Sequence, residues 1–491
     1  MTAINIIEKK ITPKIPLTAE EKKLLALVDD KEEEIAELLQ ELVKINSLNY
    51  SEFQYHNINK IFDFTKNYMD NAGFKTELFK APFFSNKKNE FYYNLIASYE
   101  GEDPGKTLQF NGHLDIVPFN PDKWDEDTPP LGGVIKEGKL YGRGSVDMKA
   151  GIACQMIAMK LLKDSEVKIK GKLQMWFTPD EETHGAYGSA FMVKNHLDVV
   201  NADATIVSEP TVRVPLTSPG ISLGEKGPHW MKFIFHGVAG HGSWPKIKSS
   251  ALNKAVRFMS KAKRNLKFPK RKAPVTKWQQ IKMLLSRVSF ADYRKIVAYT
   301  GEKSPLDKDK TKRGKILYNT TFSFNQIKAG VKTNVIPDTC ELEVDFRAMP
   351  GLSTQQVFDA IVKYCTKLNY RIEIPEGYTN LQHSIQKFKD EPVDITISIL
   401  TVGEGSASDP NSEFGKLMQN AFTALYETSP IFGFMTGFSD GGNMREAGMK
   451  DIFILGPGGR NAHTANEYAE IKTFRDITKL YLLIAYRYLK K

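Results

Sequence analysis

Three apolar segments of this chain each run into acid. The first, "TLQFNGHLDIVP" (Thr107–Pro118), passes from Leu108 and Phe110 to His113 and Asp115; the second, "KLQMWFTPDEE" (Lys172–Glu182), meets Asp180, Glu181 and Glu182 in a row; the third, "ATIVSEP" (Ala204–Pro210), ends at Glu209. Between the first two lies "AGIACQMIAMKLLKD" (Ala150–Asp164), apolar almost all round and therefore expected as a buried helix. Strands that alternate with helices and carry their polar chemistry at their C-terminal ends predict an α/β domain with a mainly parallel sheet. Adjacent acids repel, and burying even one carboxylate is expensive. The run at 180–182 is thus either a solvated turn or a place where something cationic sits.

The remaining pattern divides the chain. Residues 17–47 read as a helix, with Thr18, Glu20 and Glu21 suited to its start and "EEIAELLQELVKI" apolar at helical spacing. A second helix, "NINKIFDFTKNYMDNAG", has Gly73 just past its end. Near residue 220 the pattern changes to alternating strands such as "HWMKFIFHGVAG" and "CELEVDFRAMPG", with helices at "SSALNKAVRFMSKAKR" and "STQQVFDAIVKYCTKL". These predict a smaller α+β domain over 223–405, interrupted at 262–315 by lysine, proline and a short helical piece. From 406 the first pattern returns and closes on a helix with Phe474, Ile477, Tyr481, Ile484 and Tyr488 along one stripe. One domain, 17–222 plus 406–491, is therefore expected to contain the other as an insertion.

Bulk properties narrow the class. A chain of 491 residues suggests two or three domains. No apolar run approaches the roughly 20 residues of a membrane span, and the opening "MTAINIIEKKITPKIP" lacks a signal-peptide core. A cytoplasmic location is expected. Cys154, Cys340 and Cys365 form no CxxC pair, as befits a reducing compartment. The formal charge of +10 owes much to "KAKRNLKFPKRKAP" (Lys261–Pro274). Such a run could meet nucleic acid or acidic membrane, but a solvated insertion is the expectation.

The acids and histidines at strand ends and in Gly-rich turns form a set. It comprises His113 and Asp115, Asp147 in "GRGSVDMKAG", Glu181 and Glu182 in "PDEETHG", Glu209 in "SEPT" and His463 in "GGRNAHTANEY". Each alone has an ordinary reading. Asp147 could cap the helix that follows, and Glu209 could be a strand-end carboxylate. On an α/β sheet all these segments fall at one edge, where such folds bind ligands. Histidines with carboxylates are the zinc ligands of hydrolases, and bridging carboxylates can hold two metals about 3.5–4 Å apart. "GRGSVD" lacks the third glycine of a dinucleotide-binding loop.

The ordered strings "FNGHLDIVP", "GKLYGRGSVDMKAG", "FTPDEETHGAYGS", "SEPT", "GEKGPHW", "GVAGHGSWP", "TNVIPDTCELEVDFR" and "GPGGRNAHTANEY" resemble the M20 family of metallopeptidases and amidohydrolases. The likeness is greatest to the acetylornithine deacetylase and succinyl-diaminopimelate desuccinylase branch. It implies a zinc-hydrolase catalytic domain with an inserted lid and dimerisation domain, and a homodimer. It implies two divalent metal ions, zinc in the first place, with cobalt or manganese as alternatives. By resemblance, His113 and Glu209 bind one metal, Glu182 and His463 the other, and Asp147 bridges them. Asp115 fixes the tautomer of His113, as outer partners of metal ligands do. Glu181 is the general acid/base, and the Asp147–Met148 peptide is cis. His241 would donate to the oxyanion from the partner subunit, and Asn334 and Arg347 would contact substrate.

The chain departs from that branch at "TGFSDGGNMREAG", where Gly442 or Asn443 stands in place of an expected substrate-gripping arginine and Arg445 lies further on. The expected activity is hydrolysis of an N-acyl amino acid. The alternatives are an M20-type dipeptidase or carboxypeptidase, and a basic binding protein without catalysis.

Overall fold

The computed structural model describes residues 15–49, 58–82, 91–165, 167–212, 219–244, 250–269, 319–374, 392–435 and 437–490. Most of the basic insertion expected at 262–315 lies outside the described residues.

Two larger sheets share the chain. Their strands are β1 (Lys75–Pro82), β2 (Phe91–Glu100), β3 (Asp103–His113), β4 (Lys170–Thr178), β5 (Ala204–Val207), β6 (Gly220–Glu225) and β7 (Gly227–His236). Then follow β8 (Thr321–Ala329), β9 (Thr339–Ala348), β10 (Ile372–Glu373), β11 (Ile395–Val402), β12 (Ser406–Ala407), β13 (Ile431–Met435) and β14 (Ile452–Ile454). The nine-stranded sheet runs β1-β2-β4-β3-β5-β14-β6-β12, with β13 also on β6. Its centre, β4-β3-β5-β14, is parallel, as the strand–helix alternation predicts. Its edges are not: β1 and β2 on one side and β12 on the other pair antiparallel. Register aligns the C-terminal ends that matter. Asn111 lies level with Trp176 and Val207, and His113 faces Thr178.

The principal helices are α1 (Glu32–Lys44), α2 (Ala150–Asp164), α3 (Ala251–Asn265), α4 (Thr354–Lys367), α5 (Asp440–Glu446) and α6 (Phe474–Leu489). All of α2 from Ala150 to Met159 is buried, as its composition predicts. It is covered by α6, whose Tyr481 ring lies 5.4 Å from that of Phe110 and whose hydroxyl donates to the Leu455 carbonyl. Each aliphatic side chain so enclosed contributes about 1.5–3 kcal/mol relative to exposure. The stripe predicted on α6 is buried, but so are Leu480, Leu482, Leu483 and Tyr486.

The helix expected over 17–47 is two. Ala19–Ala26 starts on a Thr18–Glu21 capping box, and α1 begins after a turn at Leu27–Lys31. The N–H groups of Val28 and Asp29 bond three residues back, so Asp29 and Asp30 stand in a tightened turn. Glu32, Glu33 and Glu34 then favour a new helix start by facing its positive end.

The second core belongs to the five-stranded sheet β8-β9-β7-β11-β10. Met231, Phe233 and Phe235 alternate inward from β7, Leu342, Val344 and Phe346 from β9, and Ile395 and Ile397 from β11. Helices α3 and α4 close that face, with Phe258 between Phe233 (5.2 Å), Phe235 (5.6 Å) and Tyr364 (5.1 Å). The chain enters this unit at Lys226 and leaves it between Val402 and Ser406. The three cysteines are buried and free.

Two glycines fix the segment ahead of α2. Gly144 has φ 79°, a left-handed conformation that suits glycine. A Cβ on Gly151 would press into the Ser208 carbonyl oxygen, one residue before Glu209. Close approach there brings the start of α2 against the end of β5. Lys149, fully buried, donates to the carbonyls of Leu42 (2.9 Å) and Ile45 (3.4 Å) and so ties this segment to the C-terminal end of α1. Gly151→Ala should destabilise the protein by about 1–3 kcal/mol through overpacking, measured as a lowered denaturation midpoint; an unchanged midpoint would contradict the close approach.

Candidate metal centre

Each expected ligand sits where a strand or turn ends. His113 closes β3, Glu209 lies two residues beyond β5, and Glu181 and Glu182 occupy a single 3-10 turn after β4. Pro179 and Asp180 precede that turn, and His184, at φ 73°, ends it. Asp147 precedes α2, and its peptide bond to Met148 is cis, as the family resemblance implied. It does not cap the helix: the residue at the cap is Lys149, and no side chain bonds there. His463 stands at φ 63° in the loop between two short strands, Gly459–Arg460 and Tyr468–Glu470.

These residues converge. His113 Nε2 lies 3.4 Å from Asp147 Oδ1, 3.6 Å from Glu209 Oε1 and 3.8 Å from Glu181 Oε2. His463 Nε2 lies 3.2 Å from Asp147 Oδ2 and 3.0 Å from Glu182. One carboxylate, that of Asp147, therefore presents one oxygen to each histidine. Donor atoms of His113, Asp147 and Glu182, and of His113, Glu181 and Glu209, lie within 4.8 Å of one another. His113 is wholly buried, whereas the His463 side chain is 53% exposed.

The surroundings orient the donors. His113 Nδ1 faces Asp115 at 3.2 Å, through both its carboxylate and its carbonyl oxygen. The Asp115 carboxylate also accepts the backbone N–H groups of Glu181 and Glu182, each at 3.2 Å, and the Asn49 amide at 3.3 Å. Asp115 thus aims the acid pair as well as the histidine. Asp180, wholly buried, accepts the Tyr187 N–H at 2.7 Å, and its carbonyl takes the N–H groups of Thr183 and Gly185. It shapes the turn.

The donor set fits cations. His113 Nε2 is buried and makes no hydrogen bond, although carboxylates surround it. Five carboxyl groups, Asp115, Asp147, Glu181, Glu182 and Glu209, meet two imidazoles. Burial pushes Glu209 up to about 8, with Asp147 adding to the rise and His113 opposing it. Burial likewise lifts Glu181 well above the usual carboxylate range, against the pull of His113. It raises Glu182 too, against the hydrogen bond from His463. Asp147 is lowered, because His113 and His463 outweigh its burial. His463 is raised to about 10 by Asp147 and Glu182. Excess negative charge is thus held off by protons, and divalent ions can take their place.

Other expected residues lie elsewhere. His241 does not join this cluster: exposed, it bonds Ser243 Oγ at 2.6 Å on a two-stranded ribbon of Gly240–His241 and Val335–Ile336. Asn334 shares that ribbon, where its carbonyl accepts the Gly242 N–H at 2.8 Å. Arg347 bonds Asp345 at 3.0 Å and lies 5.8 Å over the Trp230 ring. That ring in turn stands edge-on to His184 at 4.9 Å, so Arg347 lies closer to the acid turn than its lid-strand position suggested. Arg445 is spent: it bonds Glu225 Oε1 at 2.6 Å and the Ile452 carbonyl at 2.6 Å. His184 escaped the sequence reading, although it stands in "EETHG" directly after the acids. So did Arg143 and Glu467, whose strings "GRG" and "NEY" flank the ligands.

A sheet that gathers carboxylates and histidines at its strand ends defines a metal-dependent hydrolase. The chain belongs to peptidase family M20/M25/M40, whose family model matches residues 109–487. It is 25% identical over 472 residues to an uncharacterized metallohydrolase of Methanocaldococcus jannaschii, covering 91% of this chain and 97% of that protein. It is also 25% identical over 468 residues to a probable succinyl-diaminopimelate desuccinylase of Staphylococcus aureus, covering 94% and 98%. Its fold matches that of human carnosine dipeptidase 1 with a TM-score of 0.68 at 16% identity, over 96% of this chain and 99% of that one.

Metal uptake should release protons. At pH 7 Glu209 and His463, raised to about 8 and about 10, hold protons that ligation must displace. Zinc titration of metal-free protein, in two buffers of different ionisation enthalpy, should show about one or more protons released per ion and weaker binding as pH falls. No proton release would contradict the ligand assignment.

Proposed function

We propose that this protein hydrolyses the amide bond of an N-acyl amino acid, with two divalent metal ions, zinc foremost, and Glu181 as the acid–base group. The observation that carries the reading is the Asp147 carboxylate, which offers Oδ1 to His113 at 3.4 Å and Oδ2 to His463 at 3.2 Å. His113 and Glu209 would hold one ion, Glu182 and His463 the other, and Asp147 both. Bound ions supply acidification of a water towards neutral pH and polarisation of the scissile carbonyl.

The chain's own residues do the rest. Asp115 holds His113 through Nδ1, leaving Nε2 to the metal. Glu181, 9% exposed and with its carboxyl pushed up by burial, is better suited than an ordinary carboxylate to take a proton and release it again. It accepts the proton of the attacking water and delivers it to the departing nitrogen. The elements of water thus add across the C–N bond, giving a carboxylic acid and a free amine. His241, exposed on its ribbon, would serve the oxyanion in a second copy of the chain, which makes a homodimer part of the reading. Asn334, beside it, and Arg347, beside Trp230, are the proposed substrate contacts.

A short peptide is the second substrate class, as for a dipeptidase or carboxypeptidase. Arg445, bound to Glu225, does not stand in for the substrate-gripping arginine expected of the deacylase branch, so peptides stand beside N-acyl amino acids in the substrate panel. Among the described residues no helix is long and apolar enough to cross a membrane. A cytoplasmic location is proposed, with neither membrane nor nucleic acid as partner.

The test is metal analysis of the purified protein together with amine release from acetyl-ornithine, succinyl-diaminopimelate, other N-acyl amino acids and dipeptides. Absence of metal and of any release would sink the hydrolase reading. Glu181→Gln should keep its metals yet lose about 10²–10⁴-fold in kcat; undiminished turnover would refute the acid–base role.

A further inference from the structure

One buried ion pair lies directly behind Asp147 and takes no part in the chemistry above. Glu467 has no exposed surface, and Arg143 is 3% exposed. Arg143 Nη1 donates to Glu467 Oε2 at 2.5 Å. The other oxygen, Oε1, accepts the backbone N–H groups of Val146 at 3.1 Å and Asp147 at 3.2 Å. The main chains are joined as well, for the Gly142 N–H donates to the Glu467 carbonyl at 2.9 Å. The ring of Trp124 lies 5.6 Å from the Arg143 guanidinium and walls off its outer side.

Glu467 also ends the loop that carries His463. Asn461, His463 and Asn466 have φ 64°, 63° and 56°, a left-handed region that asparagine enters more readily than most L-residues. Asn461 Nδ2 donates to the Asn466 carbonyl at 3.0 Å, and the Asp125 N–H donates to Asn466 Oδ1 at 3.0 Å. The loop is therefore pinned at its base, and Glu467 is the point at which that base is fastened to the backbone of Asp147. A buried ion pair gives little net stability, since desolvation offsets its attraction. What this pair does enforce is geometry. Arg143 takes one carboxylate oxygen, which fixes the rotation of the other towards the two N–H groups.

We propose that Glu467 is a positioning residue that holds Asp147 and His463 in register and thereby sets the affinity of the second metal position, the one flanked by Glu182 and His463. This rests on the dinuclear reading given above.

The test is zinc titration of the metal-free full chain, by calorimetry with chelator competition, in variants that separate the acceptor from the charge. R143M/E467Q removes both charges and keeps an amide oxygen for the N–H groups. R143M/E467L removes both charges and the acceptor. The wild type is expected to bind two zinc ions. R143M/E467Q, which keeps an acceptor but not the arginine that fixes its rotation, should bind the second ion more tightly than R143M/E467L and no more tightly than the wild type. R143M/E467L should bind the second ion about 10–100-fold more weakly, the usual effect of losing an outer partner of a ligand, with a smaller loss at the first, which shares Asp147 but not His463. Thermal unfolding of the metal-free forms checks that both variants fold. Should R143M/E467L fail to fold, E467D keeps the charge but withdraws the acceptor by one methylene, and it should show the same pattern, with the larger loss at the second ion. Equal zinc binding in the two double variants, or wild-type binding in E467D, would overturn the proposal. A wild type that binds fewer than two ions would instead bring down the dinuclear reading, before any variant is compared.

Discussion

Mutual repulsion among buried carboxylates is the constraint around which the larger unit is arranged. Asp115, Asp147, Glu181, Glu182 and Glu209 meet beyond the buried C-terminal ends of β3, β4 and β5 and ahead of α2. Protons or a shared counter-charge make such a convergence tolerable, and the Asp147 carboxylate between two imidazoles is where the sharing is visible. The register of β3 with β4 and β5, the tight contact of Gly151 with Ser208, and the Asp115 carboxylate under both Glu181 and Glu182 all serve that one convergence. The two imidazoles differ in setting, one sealed in the core and the other open to solvent. The cluster is thus asymmetric in access, though one carboxylate joins its two imidazoles.

The centre of the sheet and the gathering of acids and histidines at its strand ends were legible because local rules produce them. Three apolar runs that stop just short of acids end strands, at His113, Thr178 and Val207. Helix α2 was legible from its uniformly apolar composition. The break at Leu27–Lys31 was less so, because two short helices at this spacing share one apolar periodicity and only the capping of each separates them. The antiparallel edges were hidden as well, since edge and centre strands carry similar residues and differ only in which partner they meet. Least visible were Arg143–Glu467 and Arg445–Glu225. Their partners lie 324 and 220 residues apart, and nothing in the local pattern tells a buried charge from a solvated one. Arg445 in particular resembled a candidate for substrate and proved to be a structural cation.

Contact between the two units is aromatic at the point nearest the chemistry. His184 leaves the acid turn in a left-handed conformation and meets Trp230 of β7 edge-on, with Phe438 at 5.8 Å on its other side. Edge-to-face pairs add about 0.5–1.5 kcal/mol beyond their buried area. The turn that carries Glu181 and Glu182 therefore rests on the smaller unit as well as on its own strand. Arg347 and its partner Asp345 extend the same contact outwards.

The strand order also dictates when each unit can be finished as the chain is made. In the nine-stranded sheet β14 lies between β5 and β6, and α6 covers α2. The larger core therefore has an open slot until the segment beyond β12 has left the ribosome. The smaller unit has no such debt, because its five strands and two helices are consecutive from β7 to β11. It can close its own core first, on a chain whose earlier half still exposes α2 and the flank of β5. The half-made enzyme thus holds its carboxylates on an unclosed sheet, and His463, the last member of the cluster, arrives with the segment that shuts it.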